Sequence, residues 1–77
     1  MTIVVESVKS FAIPNPPDDG RLELPEGSSV QEAYLRLGIS ADHHRPPVPF
    51  VNGVKATKRE VLSESDVLFL FYPLNGG

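Results

Sequence analysis

Apolar residues in this chain fall into short runs with the spacing of β-strands, separated by clusters of proline, glycine and acidic residues. The β-branched run 3–8 predicts a first strand, and the polar–apolar alternation of residues 21–24 predicts a second. Residues 67–72 form the strongest predicted strand in the sequence. Between the first two strands, Pro14–Pro17 and the acidic residues after them predict a wide, proline-stiffened loop.

A third predicted strand, residues 48–51, ends at Asn52-Gly53. This dipeptide favours a tight hairpin turn, because both central residues of a type I′ turn need positive φ. Residues 54–56 would form the return strand, and Pro49 indicates that the third strand lies at an edge or begins there. Val61 and Leu62 are expected to be buried in a short turn before the last strand.

One segment has helical periodicity. Its start is marked by a capping-box spacing, either Ser28 with Gln31 or Ser29 with Glu32, and Gly38 stands where a left-handed C-terminal cap would lie. The apolar stripe that would face the core consists of Val30, Ala33, Tyr34 and Leu37.

The predicted order is strand, strand, helix, strand, short strand, strand. A single helix covers one face of a sheet, and a right-handed crossover lets the first and last strands lie parallel in its middle. This predicts an α+β protein with the β-grasp fold: a mixed sheet of four to five strands with one helix packed on one face. We expect residues 1–72 to form this domain and residues 73–77 to form a flexible tail.

Composition excludes several classes of function. The chain has 77 residues, a formal net charge of −3 and no cysteine. Without a basic stripe a nucleic-acid partner is not expected, and the longest apolar run is too short to span a bilayer. The absence of cysteine excludes disulfides, iron–sulfur clusters and thiol nucleophiles. The simplest expectation is a cytoplasmic protein without membrane contact.

Motifs of catalysis are also missing. There is no glycine-rich phosphate loop followed by lysine, and no evident Ser/His/Asp constellation. Adjacent histidines such as His43-His44 point in different directions and lack the spaced partners of a zinc site, so we read them as solvated loop residues. The acidic residues fall mostly at turns and caps. We therefore expect no metal, no bound cofactor and no enzymatic activity of the chain itself.

The sequence ends in Gly76-Gly77, five residues beyond the strongest strand. An extended tail of five residues reaches roughly 16–18 Å, enough to thread a carboxylate into a narrow pocket on another protein. Glycine lets the walls of such a pocket approach the backbone closely. A carboxylate is a poor electrophile, so a partner would have to activate it, most simply with ATP to give an acyl-adenylate.

The last strand offers a second candidate site. Its alternation places Leu68, Leu70 and Tyr72 on one face and Val67, Phe69 and Phe71 on the other. Alternation alone leaves open which set is exposed, or whether loops cover both. We expect Phe69 and Phe71 to be exposed. The predicted partner-binding residues are Phe69, Phe71, Tyr72, Pro73, Leu74 and Asn75.

Three segments together resemble the ThiS/MoaD family of small sulfur-carrier proteins. Val51-Asn52-Gly53 resembles its strand-turn signature, residues 62–66 resemble its leucine, acidic turn and aspartate, and residues 70–77 resemble its aromatic-proline-hydrophobic-small-Gly-Gly ending. The family's turn usually reads Asp-Gly-Asp, whereas this chain has Glu64-Ser65-Asp66; its two prolines become Tyr72-Pro73, and Asn75 replaces the commoner Ala or Ser.

The resemblance implies a sulfur carrier. Gly77 would be adenylated by an E1-like enzyme that uses ATP and then converted to a thiocarboxylate, which a synthase subunit accepts. The ending of the chain is closer to the molybdopterin type, or a tungsten equivalent, than to the thiamin type. Two alternatives remain open from sequence: a ubiquitin-like modifier joined to lysines through Gly77, and a β-grasp interaction domain with an incidental terminus.

Overall fold

A computed structural model describes residues 1–40 and 45–72, which form a five-stranded mixed sheet with one helix packed on one face. Residues 41–44, including His43 and His44, and the predicted tail 73–77 lie outside the described residues. In chain order the elements are β1 (Thr2–Ser7), β2 (Arg21–Glu23), α1 (Val30–Arg36), β3 (Val48–Val51), β4 (Val54–Lys55) and β5 (Val67–Phe71).

The strand order across the sheet is β2-β1-β5-β3-β4. As predicted, the first and last strands lie parallel at the centre, with Val4 opposite Val67 and Ser7 opposite Leu70. The other three pairs are antiparallel. Because β5 is the middle strand, its side chains lie at the centre of both faces of the sheet.

The core lies between the sheet and α1. Alternate residues of the two central strands, among them Ile3 and Leu70, are fully buried against the helix. The helical stripe predicted from sequence is buried at all four positions. The buried hydrophobic residues are Ile3, Val5, Phe11, Leu24, Val30, Ala33, Tyr34, Leu37, Ile39, Val51, Leu62, Leu68 and Leu70.

Both ends of α1 are capped. Of the two predicted capping boxes, the Ser29–Glu32 pair is the one that forms, with each side chain accepting a hydrogen bond from the other residue's backbone N–H. At the other end Gly38 has a φ of +81°, and a Cβ there would lie 3.0 Å from Cβ of Pro14. Asn15 donates from its backbone N–H to Leu37 O and from Nδ2 to Arg36 O. The proline-rich loop therefore covers the end of the helix.

Two sequence-based expectations need correction. Pro49 lies in an internal strand, paired with β5 on one side and followed by β4 on the other. The carbonyl of Pro49 accepts a hydrogen bond from the N–H of Ala56, which lies just past the end of β4. An N–H at position 49 would face the same side, where the two-residue strand β4 has already ended, so proline is tolerated there. Val61 is exposed and only Leu62 is buried, because consecutive extended residues point to opposite sides.

The turn before β5 is tied to the hairpin turn between β3 and β4. Asn52 and Gly53 both have positive φ, as the predicted type I′ turn requires. Asp66 accepts hydrogen bonds from Asn52 Nδ2 and from Ser63 N–H, and Asn52 Oδ1 accepts from Val67 N–H. Ser65, in the turn before β5, has a φ of 70°. These bonds fix the point at which β5 begins.

Tyr34 connects the helix to the segment before β3. Its environment makes the free energy of unfolding depend on pH in the alkaline range. Its buried hydroxyl donates to Pro47 O at 2.9 Å. Burial raises the pKa of Tyr34 well above its usual value near 10. Below about pH 10 the residue is protonated in both the folded and the unfolded state, so it adds no pH dependence. Above that pH only the unfolded state loses the proton, and the free energy of unfolding falls as pH rises.

We therefore expect Tyr34→Phe to cost about 1 kcal/mol at pH 8, because Pro47 O loses its donor. Between pH 8 and pH 11 the gap in stability between the two proteins should change by about 1.4 kcal/mol in favour of the variant, since phenylalanine cannot ionise. At pH 11 the variant should therefore be at least as stable as the wild type. Urea unfolding at the two pH values measures both quantities. A gap that stays constant between them would show that the hydroxyl is not protected from ionisation in the folded state.

Candidate functional site

The sheet face opposite α1 carries a row of four cross-strand neighbours. Glu6 of β1 lies opposite Phe69 of β5, Phe69 opposite Phe50 of β3, and Phe50 opposite Lys55 of β4. We call this face the outer face. The side chains of directly opposite residues project to the same side of a sheet, so the row places two aromatic rings between an acidic and a basic residue.

Three phenylalanines form a cluster on the outer face. The ring of Phe50 meets Phe69 at a centroid distance of 6.5 Å and Phe71 at 6.1 Å, both edge-to-face. Phe71 is 40% exposed, which is high for a large apolar residue in the central strand of a sheet. Beside the rings lies a shallow groove of about 340 Å³, lined by Glu6, Phe50, Gly53, Val67, Phe69 and Phe71. Together these residues form an apolar surface of the kind that proteins use for contact with partners.

Phe69 and Phe71 thus lie on the face where we expected them. Leu68 and Leu70 belong to the core cluster instead. Tyr72 lies apart from the two phenylalanines, because it packs against the core on the helix side. The other predicted site residues, Pro73, Leu74, Asn75, Gly76 and Gly77, lie outside the described residues.

Sequence analysis missed Phe50, which is central to the aromatic cluster. A signal for it was present: in the run 48–51 the alternation puts Pro49 and Val51 on one face and Phe50 on the other. The structure buries Pro49 and Val51 and leaves Phe50 half-buried on the outer face. Phe50 lies opposite Phe69 because of the register between β3 and β5. This register cannot be read from the local sequence pattern.

At the end of β5 the chain is held by the segment that follows β1. The rings of Phe11 and Tyr72 are 5.2 Å apart between centroids, and Ser10 Oγ donates to Tyr72 O at 3.2 Å. The guanidinium carbon of Arg45 lies 5.9 Å from the centroid of the Tyr72 ring. Because β1 and β5 are parallel, the segments that follow them emerge at the same end of the sheet, and this places Phe11 next to Tyr72.

A second shallow cavity, of about 360 Å³, lies near the opposite end of β1 and is lined by Thr2, Val4, Arg21, Glu64 and Ser65. Glu64 Oε1 accepts from Thr2 N–H, so this carboxylate has a structural role. Within residues 1–40 and 45–72, no three His, Cys, Asp or Glu residues are grouped so that they could hold a metal ion. No helix in the same ranges is long and apolar enough to cross a bilayer. The arrangement is suited to binding another protein.

Comparison with known proteins gives one informative match. No family model matches the chain, and no curated protein sequence matches it significantly. Among solved structures, the crystal structure of SAMP1 from Haloferax volcanii is similar to it, with a TM-score of 0.71 and 20% sequence identity. The match covers the whole of both chains. With the strand order and the single helix described above, it shows that the chain has the ubiquitin-like β-grasp fold.

Proposed function

We propose that this protein is a sulfur carrier whose reactive group is the carboxylate of Gly77. The observation that carries the proposal is the position of the Gly76-Gly77 dipeptide in the sequence relative to the fold. In the sequence it follows the central strand β5 by a few residues, and β5 carries Phe69 and the exposed Phe71 of the aromatic cluster on the outer face. A partner that binds this cluster therefore contacts the strand that precedes the glycines.

The chemistry requires two steps, both performed by partners. In the first, a carboxylate oxygen of Gly77 attacks the α-phosphorus of ATP on an E1-like adenylating enzyme. A P–O bond breaks and pyrophosphate leaves. In the second, a hydrosulfide equivalent attacks the acyl carbon, the C–O bond to AMP breaks, and a thiocarboxylate remains. This protein supplies the carboxylate and the binding surface, and it is a co-substrate without catalytic groups of its own.

The thiocarboxylate would then be delivered to a sulfur-accepting synthase subunit in cofactor biosynthesis, in the cytoplasm. The molybdopterin or tungstopterin pathway is favoured by the Phe71-Tyr72-Pro73 ending, and the thiamin pathway is the second possibility. Support for the carrier role comes from the β-grasp fold and from the residues shared with sulfur-carrier proteins.

Intact-mass analysis tests the proposal. The full chain is incubated with an E1-like adenylating enzyme from the same genome, ATP and sulfide. We expect a species that carries AMP and then a species heavier by the difference between a sulfur and an oxygen atom. If neither appears, the carrier function is rejected. Adducts on lysines of other proteins, without the sulfur-containing species, would instead indicate a protein modifier.

The adenylating enzyme is the partner we assign to the outer face, because the face is continuous with the strand that leads to the glycines. We expect the double substitution Phe69→Ala, Phe71→Ala to raise KM for this protein about 30- to 100-fold, since loss of two contact aromatics costs roughly 2–3 kcal/mol. The rate at saturation should change little. Steady-state pyrophosphate release measures both parameters.

A matched control for this double substitution is Leu35→Ala, which removes an exposed apolar side chain from the helix on the opposite face. Its KM should stay within about twofold of the wild-type value, as expected for a residue outside the interface. If the two variants raise KM equally, the outer face is not where the enzyme binds.

A further inference from the structure

Tyr72 is the last residue of the chain that the structure describes, and its surroundings differ from those of its neighbour Phe71. Phe71 projects from the outer face and is exposed. Tyr72 turns to the helix side, where it packs against the core and contacts Phe11 and Arg45. These two consecutive residues therefore lie on opposite faces of the sheet.

Three contacts hold Tyr72 from different parts of the chain. Phe11, which is almost fully buried, provides a fixed aromatic surface for one side of the ring. Arg45, just before β3, approaches the ring with its guanidinium group at a distance suited to a cation–π interaction. Ser10 holds the backbone carbonyl by a hydrogen bond. We call this group of four residues, Ser10, Phe11, Arg45 and Tyr72, the exit anchor.

The segment that supplies Ser10 and Phe11 is itself fixed. Val8 N–H donates to Leu70 O, Phe11 N–H donates to Val8 O, and Ser7 Oγ donates to Phe11 O. The turn after β1 is therefore held by hydrogen bonds within the turn and by one to β5. The ring and the carbonyl of Tyr72 therefore contact a turn that is itself bonded to the central strand.

We propose that Tyr72 is a positioning residue: the exit anchor fixes the origin and direction from which the residues after 72 leave the domain. The effect on adenylation rests on the proposed function. A partner bound to the outer face would then find the start of the tail at a constant place. Because the anchor lies on the helix side, a partner can cover Phe69 and Phe71 without displacing it.

The physical reason for such an anchor is the entropy of alignment. Binding through the outer face brings the tail near the ATP of the enzyme, but reaction requires the carboxylate and the α-phosphorus in contact. If the backbone at Tyr72 is mobile, the terminal carboxylate samples a larger volume. Small misplacements of reacting groups lower reaction rates strongly. Loss of the anchor should thus lower the rate at saturation and leave the affinity of docking unchanged.

Substitution of Tyr72 by alanine and by phenylalanine tests this role. Tyr72→Ala removes the ring and with it the contacts to Phe11 and Arg45. Tyr72→Phe retains a ring of nearly the same size and should rescue the function. We expect the single-turnover rate of adenylate formation to fall about tenfold for Tyr72→Ala and to stay within twofold for Tyr72→Phe, both measured at saturating adenylating enzyme. The dissociation constant from the enzyme should change less than twofold in each.

A second measurement does not need the enzyme. The ¹⁵N order parameter of the Tyr72 amide should be near 0.85 in the wild type and in Tyr72→Phe, and below about 0.6 in Tyr72→Ala. Arg45→Ala, which truncates an exposed side chain, should lower the rate by about two- to fivefold, as expected for loss of one exposed cation–π contact. This variant keeps the test usable if Tyr72→Ala is poorly folded.

The proposal is overturned if the Tyr72 amide remains rigid in Tyr72→Ala, or if that variant loses affinity while its saturated rate is unchanged. It is also overturned if Tyr72→Phe is as slow as Tyr72→Ala, because the hydroxyl would then matter and the ring contacts would not. A wild-type protein that forms no adenylate at all rejects the proposed function instead. In that case the order parameters still decide whether Tyr72 fixes the exit of the chain.

Discussion

Removal of Gly77 is expected to lower the rate of adenylate formation by about a thousandfold or more. The shortened chain still ends in a carboxylate, that of Gly76, but this group falls roughly 3.5 Å short of the α-phosphorus. Correct alignment of reacting groups accounts for effective molarities of 10⁵ M and above, so a gap of one residue removes most of that advantage. Intact-mass analysis and pyrophosphate release measure the loss.

Gly77→Ala is the matched control for this deletion, because it keeps the length of the chain and adds a single methyl group. A narrow pocket that fits glycine would resist the methyl group, and we expect a fall of about tenfold, between the wild type and the deletion. If the deletion variant is adenylated at the wild-type rate, the terminal residue is not the group that the enzyme activates, and the proposed function fails.

Leu70→Ala should be among the most destabilising substitutions in β5. Leu70 is fully buried at the centre of the sheet, paired with Ser7 on one side and Pro49 on the other. Truncation of a buried leucine costs about 2–5 kcal/mol, made up of lost burial and the cavity left behind. A domain of this size has a total free energy of unfolding of roughly 4–12 kcal/mol. At the middle of both ranges, Leu70→Ala therefore removes roughly 40% of the free energy of unfolding.

Phe69→Ala is the internal comparison, because it lies on the same strand, one residue earlier, on the outer face. Its larger side chain is half-buried and contacts mainly Phe50, so we expect a cost near 1 kcal/mol. Denaturant unfolding of both variants, with m values compared to the wild type, measures the difference. Equal losses would mean that the two faces of β5 are buried equally and that the outer face is not a free surface.

Local sequence signals were sufficient for most of the fold. The stripe of four apolar residues fixed the buried side of α1, and Ser29 with Glu32 formed one of the two expected caps. The dipeptide Asn52-Gly53 gave the turn its positive φ values. In these cases the residues that decide the structure are neighbours in sequence, so their pattern carries the information.

The features that sequence did not give depend on contacts between distant segments. Phe50 belongs to the aromatic cluster because of the register between β3 and β5. Tyr72 lies on the same face as Leu68 and Leu70, as the alternation predicted, but its contacts come from the distant residues Phe11 and Arg45. Pro49 was expected at an edge or at the start of a strand, because a missing N–H is costly inside a ladder. It is the second residue of an internal strand, and the neighbouring β4 is too short to need that N–H.

The parallel pairing of β1 with β5 has a consequence for biosynthesis. Val4 and Val67 are partners at the middle of the sheet, so the two ends of the chain must meet before the centre of the molecule exists. Contacts between such distant positions form late and slowly. A nascent chain that lacks residues 67–71 has neither the middle strand nor Leu68 and Leu70 of its core, so the outer face of the sheet cannot form. A partner that binds the outer face can therefore bind only chains whose translation has passed the last strand.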